Sequence, residues 1–387
     1  MAAMPYVSSN VALPLLRSGL LPWSPSLRAK ASDLAEEAGH VTGDALFAAV
    51  DREGRRRLDA FLTGIALYRN HPYVRTVPAP DIVWRRGSTS LLDYGGRGNP
   101  VLVVPSLVNR AYILDLTPDI SLMRWLSRQG LRPFLVDWGC PAPEERTLTL
   151  AAYIQDRLGG ALDAVRARTK RPAILVGYCM GGLLALALAQ ARPADVARLA
   201  LLATPWDFHV GREAQVHAMQ GIAAGLEPVM AATGLLDVEI LQALFASLDP
   251  FLNLRKFRAF AARDQASDEA RHFVAIEDWA NDGVPLTAPV ARECLGGWYG
   301  ANTPFSGRWT VAGVPVRPTE IAQPALVVIP ARDRIVPPAS AAALAAALQN
   351  AVTIHAGAGH IGMVAGRQAE ATIWPLLSSW LRAMPPA

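Results

Sequence analysis

From Gly43 onward apolar residues recur at helical spacing, at Leu46, Phe47, Val50, Leu58, Phe61, Leu62 and Ile65. That period predicts a helix, closed before Pro72 because proline drives the residue ahead of it out of the helical region. Residues 1 to about 40 are weakly apolar and carry Pro and Ser, and they read as an arm with no element assigned. Residues 81–86 and 88–94, parted by Gly87, alternate as the two strands of a hairpin. Apolar runs and helical stretches then take turns. A strand at 101–104 leads to a helix at 121–129 stopped by Gly130, and a strand at 134–136 follows. Thr149 caps a helix whose apolar face is Ala151, Ile154, Leu158, Leu162 and Val165. A strand at 173–176 runs into a helix, and a strand at 199–202 comes next.

From about residue 207 to 318 the alternation gives way to Ala- and Leu-rich helical sequence carrying Trp279, Trp298, Tyr299 and Trp309. It then resumes with a strand at 325–329, a helix at 339–348, a strand at 352–355 and a last helix after Trp374-Pro375. Strands alternating with helices in this way predict an α/β fold, a mostly parallel sheet covered on both faces. The middle segment is then a lid inserted over the strand ends, where ligands bind in such sheets. The expected organisation is an N-terminal arm with helices over 1–75, a core from 76–206 and 319–387, and a mostly helical lid over 207–318.

Composition adds boundaries. The 387 residues are 51% hydrophobic and 18% charged, enough for a large core. The net charge is +4 and is spread out, with Arg55-Arg56-Arg57 as a compact run that reads as a solvated helix face and not a nucleic-acid patch. Mild basicity also suits a phosphate-bearing substrate. Cys140, Cys179 and Cys294 show no framework spacing, which points to a reducing compartment and to no metal site. No signal peptide and no transmembrane stretch are expected, so the reading is a cytoplasmic protein.

The chemistry concentrates at Gly177-Tyr178-Cys179-Met180-Gly181-Gly182, between the strand at 173–176 and a run of helix formers. This is the strand, sharp turn and helix of a nucleophile elbow, with Cys where hydrolases usually carry Ser. Side chains two residues to either side of Cys179 would clash with strand or helix, hence the glycines. The sulfur also lies near the positive end of the helix dipole, which favours the thiolate. A nucleophile of this kind needs an acid and then a His later in the chain. Asp333 and His360 both follow strands in that order, and Asp207 is the second choice for the acid. His209 and Asp207 could line the site, His355 reads as structural, and Cys140 and Cys294 read as buried thiols. The oxyanion hole should use the backbone N–H of Met180 and a second from the loop after the first parallel strand, Val108 or alternatively Leu107. A thiolate exchanging one thioester for another keeps the acyl group activated, which favours acyl transfer. A Cys-type hydrolase, as polyester depolymerase or thioesterase, is the alternative.

With these residues assembled the chain resembles the polyhydroxyalkanoate synthases, α/β-hydrolase-fold enzymes, and among them the short two-subunit type. The matching stretches begin with Val104-Pro105-Ser106-Leu107-Val108-Asn109-Arg110-Ala111-Tyr112-Ile113-Leu114-Asp115-Leu116 and Phe134-Leu135-Val136-Asp137-Trp138-Gly139, with Pro143-Glu144-Glu145-Arg146. They continue through the Cys179 elbow and residues 279–285 to Asp333 with Ile335-Val336-Pro337, and end at Gly359-His360-Ile361-Gly362. The resemblance implies a Cys179 acyl-enzyme formed from an (R)-3-hydroxyacyl-CoA, with coenzyme A released and no further cofactor. It implies His360 as the base for Cys179, and Asp333 as its orienter or as a helper in activating the next 3-hydroxyl. It also implies a growing polyester, a homodimer at the polymer granule surface, and a second, non-catalytic synthase subunit. The residue after Asp333 is Arg334, where that family usually carries His, and a cation there should hold Asp333 as a carboxylate and disturb its pairing with His360.

Overall fold

The computed structural model describes residues 4–211 and 213–383. Two compact units account for them, one made of Met1–Val74 with Asp249–Val274 and the other of Arg75–Leu248 with Ala275–Ala387.

The first unit opens with α1 (Met4–Arg17), α2 (Arg28–Gly39) and the long α3 (Gly43–Arg69). The stretch expected as an arm is therefore helical. Its weak apolar period, with Pro14 inside α1, is why the sequence carries no clear helical signal there. The Arg55 to Arg57 run lies exposed on α3, each arginine paired within the helix to Asp51 or Glu53.

The second unit is built on β1 (Asp81–Arg86), β2 (Thr89–Asp93), β3 (Pro100–Val104), α4 (Leu122–Arg128) and β4 (Arg132–Asp137). A composite helix follows, α5 (Leu150–Ala152), a π-helical stretch (Tyr153–Leu158) and α6 (Gly159–Thr169). Thr149 caps it as expected, its side chain accepting from the Ala152 N–H. Next come β5 (Ala173–Tyr178), α7 (Met180–Ala191), β6 (Val196–Leu202), α8 (Glu213–Thr233), β7 (Leu235–Leu236) and α9 (Val238–Leu248). The chain returns to the first unit for α10 (Leu252–Ala261) and the first half of α11 (Asp268–Asn281). There Phe257 meets Phe61 of α3 edge-on at 6.1 Å, and Phe260 stacks on Phe273 at 4.3 Å. Gly64 of α3 faces the Phe257 carbonyl so closely that any Cβ there would strike it. Residues 249–274, read from sequence as part of the lid, are thus grouped with the N-terminal helices.

The second unit resumes with β8 (Leu286–Thr287), α12 (Ala288–Arg292), a π-helix (Glu293–Gly300), and the short β9 (Thr310–Val311) and β10 (Val314–Pro315). It closes with β11 (Ala325–Pro330), α13 (Pro338–Ala347), β12 (Ala351–Ala356), α14 (Gly362–Ala365), α15 (Ala369–Thr372) and α16 (Trp374–Arg382). The main sheet has eight strands in the order β1-β2-β4-β3-β5-β6-β11-β12. β1 and β2 run antiparallel to their neighbours, and the rest are parallel. Every residue of β3, β5 and β11 is buried, which is why these strands read as unbroken apolar runs and not as alternating ones. α7 is apolar all round because it is buried from Met180 to Ala189. Among the described residues no helix is long and apolar enough to cross a membrane.

The Asn109 to Leu116 motif works here as a brace. Asp115, 1% exposed, accepts from Arg124 Nε at 2.8 Å and Nη2 at 3.0 Å, and from the Tyr94 hydroxyl at 3.1 Å. Arg75 donates to the Asp115 carbonyl at 2.7 Å. Asp115→Ala strands the Arg124 and Tyr94 donors while keeping the carbonyl that Arg75 uses, and with Arg124 partly open to water the expected loss is about 2–3 kcal/mol. It should be read as a lower urea midpoint at unchanged slope.

Candidate active site

The carboxyl ends of β5, β11 and β12 converge at one edge of the sheet, and each delivers one of the residues singled out from sequence. Cys179 stands between β5 and α7 with φ 55° and ψ −127°, a conformation that side-chain-bearing residues rarely adopt. Its N–H donates to the Leu202 carbonyl at 2.9 Å, and its carbonyl accepts from Gly182 at 3.0 Å, so the turn is held on both sides. The flanking glycines are required by contact. A Cβ on Gly177 would collide with the Gly182 backbone, and one on Gly181 with the Val104 and Pro105 carbonyls.

Asp333 follows β11 and is 6% exposed. Its Oδ1 accepts from the N–H groups of Ile335 at 2.8 Å and Val336 at 2.9 Å, a local turn that fixes the carboxylate. Its Oδ2 meets His360 Nδ1 at 2.6 Å. The pairing is intact despite the exposed Arg334 next door, because the backbone and the imidazole take up the carboxylate from the inside. His360 follows β12, and the Tyr178 hydroxyl donates to its carbonyl at 3.2 Å, a buried tie between elbow and histidine loop. Sequence reasoning passed over Tyr178, although its place beside the nucleophile was a signal. With Nδ1 on Asp333, the ring is also hydrogen-bonded to the Cys179 side chain.

Burial by itself would lower the His360 pKa, but negative charge on Cys179, the hydrogen bonds to Asp333 and Cys179 and the Asp333 charge outweigh it and raise it to about 10. A histidine whose hold on its proton is strengthened in this way can keep a proton beside the Cys179 sulfur and pass it to a displaced group.

Cys179, Met180, Ser106, Val108, Ile335 and Val336 share the wall of a cavity of about 830 Å³, its open mouth included. The rest of the lining is mostly apolar and includes Leu241, Leu244, Phe245 and Leu248 of α9, with Leu295 and Trp298 of the π-helix. Val108 lines the cavity, but its N–H already donates to Ser106 Oγ at 3.2 Å, so the second oxyanion donor expected from sequence is engaged. The Met180 N–H lies in the first turn of α7, immediately after the nucleophile. Leu107, the alternative donor, is buried beside it in sequence at 4% exposure.

The rival residues are placed elsewhere. Asp207 Oδ1 accepts from the N–H groups of His209 and Val210 and from Asn302 Nδ2, and the His209 ring contacts the Tyr299 carbonyl at 3.0 Å. His355 lies within β12. Cys294 is buried as expected and lines the cavity, with burial pushing its thiol well above the ordinary value. Cys140 is exposed, contrary to expectation, because the turn after β4 carries it outward. Among the described residues no group of three or more His, Cys, Asp or Glu converges as metal ligands would.

The family model described as alpha/beta hydrolase fold matches residues 99–366. The chain is 28% identical over 311 residues to the poly(3-hydroxyalkanoate) polymerase subunit PhaC of Haloferax mediterranei, covering 78% of this chain and 63% of that one. To the subunit of the same name from Synechocystis it is 30% identical over 293 residues, covering 73% and 77%. To that of Allochromatium vinosum it is 28% identical over 286 residues, covering 73% and 80%. It thus spans under two thirds of the haloarchaeal relative's length.

Proposed function

Because the chain belongs to the poly(3-hydroxyalkanoate) polymerase family, on an α/β hydrolase fold, we propose that it polymerises (R)-3-hydroxyacyl-CoA through an acyl group carried on Cys179. The observation that carries the reading is a cysteine at the elbow, hydrogen-bonded to a histidine that is itself held by Asp333, at the wall of an apolar cavity.

Cys179 Sγ attacks the thioester carbonyl, the oxyanion forms beside the Met180 N–H, and the bond to the coenzyme A sulfur breaks. The leaving thiolate takes a proton from His360. The 3-hydroxyl of the next hydroxyacyl-CoA then attacks the acyl-Cys179 carbonyl and gives its proton back to His360, releasing the sulfur and lengthening the chain by one ester. Asp333, with both oxygens engaged, acts by orienting the ring and stabilising its charge, which favours that role over a direct one on the hydroxyl. No cofactor beyond the coenzyme A thioester enters these steps. The same reading includes a homodimer, a second synthase subunit and work at the polymer granule surface.

Incubation with 3-hydroxybutyryl-CoA, with and without a candidate second subunit, tests it by following thiol release and turbidity together. Thiol release accompanied by an insoluble product is the expected result. Thiol release matched by free 3-hydroxybutyrate, with no turbidity under either condition, would instead make the protein a thioesterase.

A further inference from the structure

Among the described residues Ser106 brings the one aliphatic hydroxyl to the wall of the cavity that holds Cys179. It is half-buried and stands two residues past the end of β3. The backbone just ahead of it fixes its place beside the elbow. The Val104 and Pro105 carbonyls lie so close to Gly181 that no Cβ fits between them, and Trp138 Nε1 holds the Pro105 carbonyl at 3.0 Å. Ser106 therefore leaves a strand end that touches the first turn of α7, next to Met180 and its N–H.

The hydroxyl is engaged on one side only. The Val108 N–H donates to Ser106 Oγ at 3.2 Å, which uses a lone pair and leaves the hydroxyl proton to be donated elsewhere. No described residue accepts it. In a site built on a nucleophile elbow, a backbone N–H from the loop after this strand is the second oxyanion donor. Here the N–H expected in that role ends on a serine oxygen. A hydroxyl that receives one hydrogen bond gives a stronger one, so the serine can pass the donation on. The loop is not free to bring Val108 forward in its place. The Val108 carbonyl accepts from the Val284 N–H at 3.1 Å, and Asn109 forms a β-bridge with Gly283.

We infer that the Ser106 hydroxyl is the second oxyanion donor, acting with the Met180 N–H on the carbonyl oxygen of the thioester that Cys179 attacks. This rests on the acyl-enzyme proposed above. As the bond from Cys179 Sγ to the carbonyl carbon forms, the carbonyl π pair moves onto oxygen, and the two donors stabilise it there. When the pair returns, the bond to the coenzyme A sulfur breaks. The hydroxyl keeps its own proton throughout. Serine side chains are among the donors that serve acyl transfer in this way.

The test reads two reactions of Cys179 in the full chain. One is single-turnover acylation by 3-hydroxybutyryl-CoA, followed by coenzyme A release and by the mass of the Cys179 peptide. The other is alkylation by iodoacetamide, a displacement that forms no oxyanion. Ser106→Ala should slow acylation about 10²-fold, the low end for loss of one such donor, while alkylation stays within about twofold. Ser106→Thr, which keeps a hydroxyl, should recover most of the acylation rate. Acylation unchanged or faster in Ser106→Ala would overturn the inference and give the role to the Val108 N–H that the substitution releases. A fall shared equally by alkylation would overturn it too, by making Ser106 a support for the elbow. If Ser106→Ala does not fold, Ser106→Thr against the similarly shaped Ser106→Val decides the question. The hydroxyl-bearing variant should then acylate about 10²-fold faster, and equal rates overturn the inference. Wild type that is alkylated at Cys179 yet forms no acyl adduct there is a different result. It would end the acyl-enzyme reading, and this inference with it.

Discussion

Cys179→Ala is expected to abolish thiol release from 3-hydroxybutyryl-CoA, a fall on the order of 10⁵-fold, because removing the nucleophile of such a unit leaves only binding and the oxyanion donor. The fold should survive. Alanine occupies the same positive φ at the same cost, and the elbow is held by backbone bonds to Leu202 and Gly182 that do not use the sulfur. The substitution also removes the main influence raising the His360 pKa, so the ring should titrate well below its wild-type value of about 10. Cys140→Ala, at an exposed site, is the matched control and should leave turnover as it was. Thiol release by Cys179→Ala above the buffer rate would remove this residue from the mechanism.

Asp333→Asn should lower kcat on the order of 10⁴-fold, as when the orienting acid of a triad is neutralised while its geometry is kept. It should also change how stability varies with pH, and the sign follows from His360. Its pKa rises on folding from 6.5 to about 10, so the folded state binds the proton more tightly. The stabilisation that results is complete below about pH 6.5 and fades as the pH rises through about 10. Asp333→Asn removes two of the raising influences, so wild type should exceed the variant most near pH 6. The gap should narrow steadily toward pH 10 in urea titrations. A gap independent of pH would mean that the ring is uncharged in the wild-type fold.

Those parts of the candidate site that depend on local pattern are legible in the sequence. β5 is buried on both faces, so it appears as a short apolar run, and the glycines around Cys179 mark where backbone meets backbone. Asp333 and His360 are singled out in the sequence by their order and by the strands ahead of them, and the fold brings the two together. What stayed hidden depends on contacts between distant residues. Val108 has the right place in the loop, but only the fold reveals that Ser106 has taken its N–H. The helices before residue 40 lack a strong period of their own, and residues 249–274 look like any Ala- and Phe-bearing helical stretch. Their grouping with the first 74 residues is set by packing such as Phe61 on Phe257.

That packing has a consequence for biosynthesis. α3 is complete at Arg69, yet the helix that covers its Phe61 face begins at Leu252, about 180 residues later. At ordinary ribosomal speeds the interval is on the order of 10 to 40 s, during which the nascent chain carries the uncovered Phe61 face of α3. A holdase gripping the emerging N-terminus should therefore raise the yield of folded protein, most of all when translation is slowed.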